Sequence, residues 1–178
     1  MRQRAEAGQR PGLQQGRDHG RDGPGLRRAQ GGRLELAERH LHHLLEGLSR
    51  DPDGDPALHL PDTLIELGWL TELRGDLAGA MALHAEAVAF AWKIGDPRTT
   101  VGAVEGAAGA AGPTEKSALL LGLAAAAREG YQLPPGKAEV EDIERVTVRA
   151  REALGEQAFA AAFAQGGAYK LDDAQGLL

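Results

Sequence analysis

The chain has 178 residues, 42% of them hydrophobic, and a net charge of −6, which is enough apolar material for one folded domain. It has no cysteine, and this excludes a disulfide framework and thiolate metal sites. The N-terminus lacks the apolar stretch of a secretory signal, and the longest apolar run, 118–127, is about half of the ~20 residues that a membrane span needs. We therefore expect a soluble, cytoplasmic protein without membrane contact.

The N-terminal segment differs in composition from the rest of the chain. Residues 1–33 contain eight glycines, eight arginines and only three acids, so they carry a net charge of +5 and leave −11 for residues 34–178. Such a segment, with almost no apolar periodicity, predicts a disordered Gly/Arg-rich tail over 1–32. The negative charge of the remaining domain, 33–178, argues against direct nucleic-acid binding by the folded part.

Residues 64–88 have the pattern of an antiparallel helix hairpin. The residues of one helical face recur at i, i+3, i+4 and i+7: Leu64, Leu67, Gly68 and Thr71. Gly75 favours a left-handed turn, and Asp76 is placed to cap the next helix. That helix continues the spacing with small and apolar residues: Leu77, Ala80, Met81, His84, Ala87 and Val88. The small residues predict a close crossing of the two helices.

The second helix of this hairpin recurs twice along the chain, at an offset of 43 upstream and of 37 downstream. The upstream copy starts at Gly32, after a tail without a first helix, and the downstream copy starts at Gly112. A loop over 49–61 separates the first two units, and the third unit begins with a Gly/Ala-rich helix of poor intrinsic propensity over 99–111. Repeats of this period predict an all-α, tetratricopeptide-type solenoid, in which antiparallel hairpins form a right-handed superhelix.

The incomplete first hairpin leaves apolar residues without a covering helix: Leu34, Leu41, Leu44 and Leu45. An uncovered apolar face favours self-association. We therefore expect a homo-oligomer formed through the N-terminal half-hairpin.

Residues 137–178 depart from the repeat pattern and predict atypical C-terminal helices. A Leu-Pro-Pro-Gly stop at 133–136 precedes a helix with one apolar face, and Gly155 ends it. The residues of that face are Val140, Ile143, Val146, Thr147, Ala150 and Leu154. A short helix over 156–165 follows, Gly166 and Gly167 are expected to break it, and 171–174 opens another.

Motifs in the C-terminal third resemble the end of large bacterial ATP-dependent transcriptional regulators, the AfsR- and LuxR-type multidomain proteins of actinobacteria. They are Ala-Leu-Leu-Leu-Gly at 118–122, Leu-Pro-Pro at 133–135, Arg-Glu-Ala-Leu-Gly-Glu at 151–156, and Leu-Asp-Asp-Ala at 171–174. With the repeats, the resemblance covers about 32–178. It implies a helical array that senses effectors or binds partners, beside switch and DNA-binding domains.

Nothing in the sequence points to catalysis. There is no Gly-x-x-x-x-Gly-Lys-Ser/Thr phosphate loop and no helix-turn-helix with a basic recognition helix, so the family's ATPase and promoter binding are not expected of this chain. The two serines, Ser49 and Ser117, lack a nucleophile context. His42 shares a helical face with acids at i−4 and i+4, which a solvated polar face also produces. We expect no enzyme activity, catalytic residue, metal or cofactor.

Partner-binding residues are predicted on the face of the first helix opposite Leu67 and Gly68. They are Asp62, Ile65, Trp69, Glu72 and Leu73, which would project toward the concave side, where such repeats hold peptides. Trp69 is the expected anchor, unless it folds inward as part of the core. The predicted function is a non-catalytic protein-protein interaction module in transcriptional regulation, and the alternative is a module that senses a small-molecule effector in the superhelical groove.

Overall fold

The computed structural model describes residues 60–178 and, ahead of them, eight positions that are all helical and exposed: Glu35, Leu36, Arg39, His40, His42, His43, Glu46 and Gly47. The predicted tail, the four leucines of the half-hairpin and most of the loop over 49–61 lie outside the described residues. Residues 60–178 form seven α-helices and one 3₁₀ turn, without a strand in that range, and the prediction of an all-α fold is confirmed. The elements are α1 (Leu60–Leu73), α2 (Leu77–Ile94), α3 (Pro97–Ala110), α4 (Glu115–Tyr131), α5 (Lys137–Leu154), α6 (Glu156–Gly167), the 3₁₀ turn (Leu171–Asp173) and α7 (Ala174–Leu177).

A glycine with positive φ followed by a polar cap separates the first helices. Gly75 has φ 90°, and the Asp76 carboxylate accepts the Gly79 N–H at 2.8 Å, which confirms the predicted start of α2. Gly95 and the capping residue Asp96 form the same kind of junction before α3. This helix begins at Pro97, two residues earlier than expected. Gly112 has φ 66°, with Thr114 as the cap of α4. Each junction therefore satisfies helix-end N–H groups and reverses the chain within a few residues.

The core is built from small side chains around α3. This helix packs against α1, α2, α4 and α5. Every one of its residues from Thr100 to Ala110 is buried except Gly102. Its three glycines lower the intrinsic helix propensity, while its glycines and alanines let neighbouring helices approach closely. Packing against those helices therefore contributes much of the stability of α3.

Helices α4 and α6 cross with their backbones in contact, and this corrects one sequence expectation. Gly166 and Gly167 do not break α6, because the helix continues through both. A Cβ atom on Gly166 would overlap the carbonyl oxygen of Leu119, and one on Gly122 would overlap that of Phe163. The glycines therefore serve the helix crossing, and the chain leaves α6 after Gly167.

In residues 60–178, α2 is the one helix with the length and mean hydropathy of a membrane span. Its buried residues, among them Ala80, His84 and Ala87, face α1 and α3, and Glu86 and Lys93 are exposed on it.

Candidate functional site

A cavity of about 400 Å³ lies between α1, α3 and the N-terminal part of α5. We call it the acidic groove. Helix α1 contributes one face to it: Asp62, Ile65, Glu66 and Trp69. Opposite that face lie residues of α3 and its cap, Asp96, Arg98, Thr99, Gly102 and Glu105, and residues of α5, Ala138, Glu139 and Asp142. Three predicted partner-binding residues, Asp62, Ile65 and Trp69, are thus brought together.

Carboxylates outnumber cations in this groove by six to one, Arg98 being the cation. Several of the acids have partners: Asp62 accepts the Thr99 hydroxyl at 3.4 Å, and Asp96 caps α3. Glu66 has no hydrogen bond or ion pair within the described part of the chain. Burial raises the pKa of Glu66, and the negative charges of Asp142 and Asp62 raise it further. Arg128 and Arg145 pair with Glu105, Glu139 and Asp142 from outside the lining, so the uncompensated negative charge of the groove is concentrated at Glu66 and Asp62.

Trp69 forms the apolar floor of the groove beside Ile65. Its ring is partly exposed and is held by two contacts. The Arg145 guanidinium lies 5.3 Å from the ring centroid, and the His84 imidazole meets the ring edge-on at 5.5 Å. Trp69 is therefore both a core contact and a groove residue, so its position combines the two alternatives that the sequence left open.

His84 lies beneath Trp69 with no exposed surface. Its imidazole fills the space left by Gly68 of α1 and Gly106 of α3, where a Cβ atom would overlap the ring. Neither ring nitrogen has a hydrogen-bond partner among the described residues. Burial lowers the pKa of His84 to about 4, although the negative charge of Glu72 acts in the opposite direction. The ring is therefore neutral at pH 7 and packs as an apolar wedge between helices.

Glu72 does not face the groove, unlike Asp62, Ile65 and Trp69. Its buried carboxylate accepts hydrogen bonds from Arg145 at 2.8 Å, through both oxygens, and from Arg149 at 2.7 Å. Burial alone would raise the pKa of Glu72, but these two guanidinium groups outweigh it and lower the pKa. Leu73 follows at the end of α1, 53% exposed and outside the groove lining. The structure thus separates Glu72 and Leu73 from the other three residues.

The third wall of the groove, α5, was missed by sequence reasoning, which treated 137–178 only as atypical terminal helices. Asp142, Arg145 and Arg149 stand at i, i+3 and i+7 on α5. This row of charged residues beside the apolar face of the helix was the sequence signal that could have indicated a charged contact with another helix. The row meets α1 through Glu72, and Arg145 also pairs with Asp142 at 3.2 Å. Helix α5 therefore reaches α1 through these side chains and closes one side of the groove.

A buried ion pair closes the inner end of the groove. The Glu105 carboxylate of α3 accepts two hydrogen bonds from Arg128 of α4, at 2.6 and 2.7 Å. Arg128 also donates to the Leu133 carbonyl at 3.0 Å and pairs with Glu139 at 3.2 Å. The pair raises the pKa of Arg128, while burial raises the pKa of Glu105 against the opposing effect of Arg128. These contacts tie α3, α4 and the start of α5 together.

No group of histidine, aspartate or glutamate side chains in the described part of the chain is arranged to hold a metal ion. The exposed His40, His42 and His43 stand apart from the groove lining. The acidic groove is therefore an arrangement of charge and apolar surface, suited to binding a cationic group.

Comparison with known proteins gives no further assignment: no protein-family model, curated protein or solved structure matches the chain. Fold and site together define an all-α protein of packed helices with an acidic groove. The similarity to AfsR- and LuxR-type regulators stays a prediction from the motifs.

Proposed function

We propose that the protein is a non-catalytic protein-protein interaction module, and that the acidic groove binds a peptide segment of its partner. The observation that carries the proposal is the convergence of Asp62, Ile65 and Trp69 with Glu66 and Asp142 in one cavity of about 400 Å³. An aromatic and an aliphatic side chain provide apolar contact area, and the surrounding carboxylates provide charge. This combination favours a segment with an apolar anchor flanked by lysine or arginine.

The packing of α1 to α4 supports a tetratricopeptide-type arrangement for this module. Successive helices pack on one another, and α1 also packs on α3, as the first helices of adjacent hairpins do. The groove lies on the face shared by α1 and α3, which is the face expected to be concave in a right-handed superhelix. The terminal motifs at 151–156 and 171–174 support a regulatory setting, and we place the module in transcriptional control in the bacterial cytoplasm.

Selection from a peptide library on the immobilised protein tests this function. Binding by anisotropy should then be compared for wild type, Glu66→Lys and Glu86→Lys at low and high salt. Glu66 lines the groove, whereas Glu86 is an exposed acid of α2 outside the groove lining, which makes it the control for the charge reversal. We expect selected peptides rich in lysine and arginine, weaker binding at high salt, and loss of binding only in Glu66→Lys.

Two outcomes would contradict the proposal. One is a set of selected peptides without excess positive charge. The other is binding that both charge reversals weaken equally, which would place the peptide outside the groove.

A further inference from the structure

A second cavity, of about 330 Å³, adjoins the Glu105–Arg128 pair and shares only Glu105 with the lining of the acidic groove. We call it the apolar cavity. Its walls come from three helices: Leu121 of α4, Ile143 of α5, and Phe159 and Phe163 of α6. Leu121 and Phe159 are buried, and the two phenylalanine rings stack with centroids 5.7 Å apart. The volume is within the range of small-molecule pockets, about 300–1,000 Å³.

One cation stands at the mouth of this cavity with hydrogen-bonding capacity to spare. The Arg151 side chain is 51% exposed, and its guanidinium lies 4.7 Å from the Phe159 ring centroid. Its Nε is 3.5 Å from a Glu156 oxygen, which is a loose ion pair, and its terminal nitrogens have no hydrogen-bond partner among the described residues. Stacking on Phe159 therefore holds the guanidinium in place and leaves its terminal nitrogens able to donate to a further acceptor.

The other charges of the cavity are already matched. Arg128 is satisfied by Glu105, Glu139 and the Leu133 carbonyl, so it offers little to a ligand. The remaining cation of the lining, Arg151, is paired only loosely with Glu156 at the mouth, and the interior is mostly apolar. This polarity is complementary to a molecule with an apolar body and one carboxylate.

We propose that the apolar cavity binds a small amphipathic carboxylate, whose apolar part packs on Leu121, Phe159 and Phe163 and whose carboxylate accepts hydrogen bonds from Arg151. The site shares only Glu105 with the lining of the acidic groove. Binding here would bridge α4, α5 and α6, and so stabilise the C-terminal helices.

Displacement of the fluorescent apolar anion anilinonaphthalenesulfonate tests the proposal. Decanoate and decanol would be titrated as competitors against wild type, Ala125→Trp, Arg151→Met and Lys93→Met. Ala125 is exposed on α4 at the cavity mouth, so a tryptophan there blocks entry without entering the core. Arg151→Met keeps contact with Phe159 and removes the charge, and Lys93→Met is a matched loss of an exposed cation on α2.

We expect decanoate to displace the probe from wild type and from Lys93→Met. Arg151→Met should weaken decanoate about tenfold, the size of one charge-assisted hydrogen bond, and leave decanol unchanged. Ala125→Trp should abolish probe binding with unchanged helicity. Equal decanoate affinity in wild type and Arg151→Met, or probe binding that Ala125→Trp does not reduce, would overturn the assignment. Absence of probe binding to wild type would also overturn the assignment. That result is expected if other residues of the chain or a second copy of the protein fill the cavity.

Discussion

The Glu72 carboxylate on α1 and the Arg145 guanidinium on α5, 73 residues apart in sequence, form two hydrogen bonds of 2.8 Å. Arg145 also lies over Trp69, on the floor of the acidic groove. The same pair therefore fixes the wall of the groove and orients its aromatic residue. Removal of either partner affects both fold and groove.

Substitution of this pair should destabilise the protein in a graded order. Glu72→Gln removes the negative charge and one of the two acceptor oxygens that Arg145 and Arg149 share. We expect a loss of about 2–3 kcal/mol in the free energy of unfolding, below the value for a fully buried pair because Arg145 and Arg149 are 28% and 44% exposed. Arg149→Met should cost about 1 kcal/mol or less, and Arg145→Met should fall between them. Urea unfolding of the three variants measures the order. Equal losses in Glu72→Gln and Arg149→Met would contradict this account.

Stability should fall on mild acidification because of His84. Its pKa is about 4 in the folded chain, against 6.5 when unperturbed, so the unfolded chain binds the proton more readily between these values. The free energy of unfolding should therefore decrease as pH falls from 6.5 to 4, by up to about 3 kcal/mol at 1.36 kcal/mol per pKa unit. The pKa of Glu72 is lowered in the folded chain, so protonation of Glu72 also decreases the free energy of unfolding, but only below its ordinary value of 4.5.

Thermal unfolding of His84→Leu between pH 4 and pH 7 isolates this contribution. The variant should lose the fall in stability that wild type shows from pH 6.5 to about 5. Glu66 and Glu105, whose pKa values are raised in the folded chain, should add a slope of the opposite sign in both proteins. The matched variant His42→Leu, at an exposed helical position, should keep the wild-type slope. An unchanged slope in His84→Leu would show that another group causes it.

Two glycines of α3 should respond to alanine in opposite directions. A Cβ on Gly106 would overlap the His84 imidazole, whereas a Cβ on Gly102 would meet only the Ile65 Cδ1 atom, at an ordinary 3.8 Å. We expect Gly106→Ala to destabilise by about 1–3 kcal/mol through overpacking, and Gly102→Ala to stabilise by up to about 1 kcal/mol through helix propensity. Addition of His84→Ala to Gly106→Ala should restore part of the free energy of unfolding lost in Gly106→Ala, since it removes the overlap between the new Cβ atom and the imidazole. Denaturant unfolding that ranks the two single variants equally would be inconsistent with the packing described.

The α4–α6 crossing should likewise distinguish two glycines. Gly166→Ala places a Cβ against the Leu119 carbonyl oxygen, which is backbone and cannot rotate away, while Gly130 of α4 has open space around it. We expect Gly166→Ala to destabilise by about 1–3 kcal/mol and Gly130→Ala to be neutral or slightly stabilising. Hydrogen exchange of α6 amides gives a local readout. Exchange in α6 that is unchanged by Gly166→Ala would argue against a close crossing.

Local signals predicted the helix boundaries well. The turn at Gly75, the cap at Asp76 and the end of α5 at Gly155 all follow from the residues themselves, because turn and cap chemistry is decided within a few positions. The stripe of α1 containing Leu64, Leu67 and Gly68 is buried as its spacing indicated.

The position of α5 could not be predicted in the same way. Periodicity shows that Val146 and Ala150 share a buried face, and both are indeed buried, but it does not show which helix that face meets. The contact of Arg145 with Glu72 depends on the path of the chain between them. For the same reason the sequence grouped Glu72 with Asp62 and Trp69 on one face, whereas its carboxylate is engaged by α5.

Fluorescence of Trp69 during peptide binding tests the central claim most directly. The chain has two tryptophans, so Trp92→Phe leaves Trp69 as the single reporter. Titration of this variant with the tightest selected basic peptide should change the emission of Trp69 saturably, and Glu66→Lys in the same background should remove the change while Glu86→Lys keeps it. Saturable binding detected by calorimetry with no change in Trp69 emission would place the peptide elsewhere and contradict the assignment of the acidic groove as the binding site.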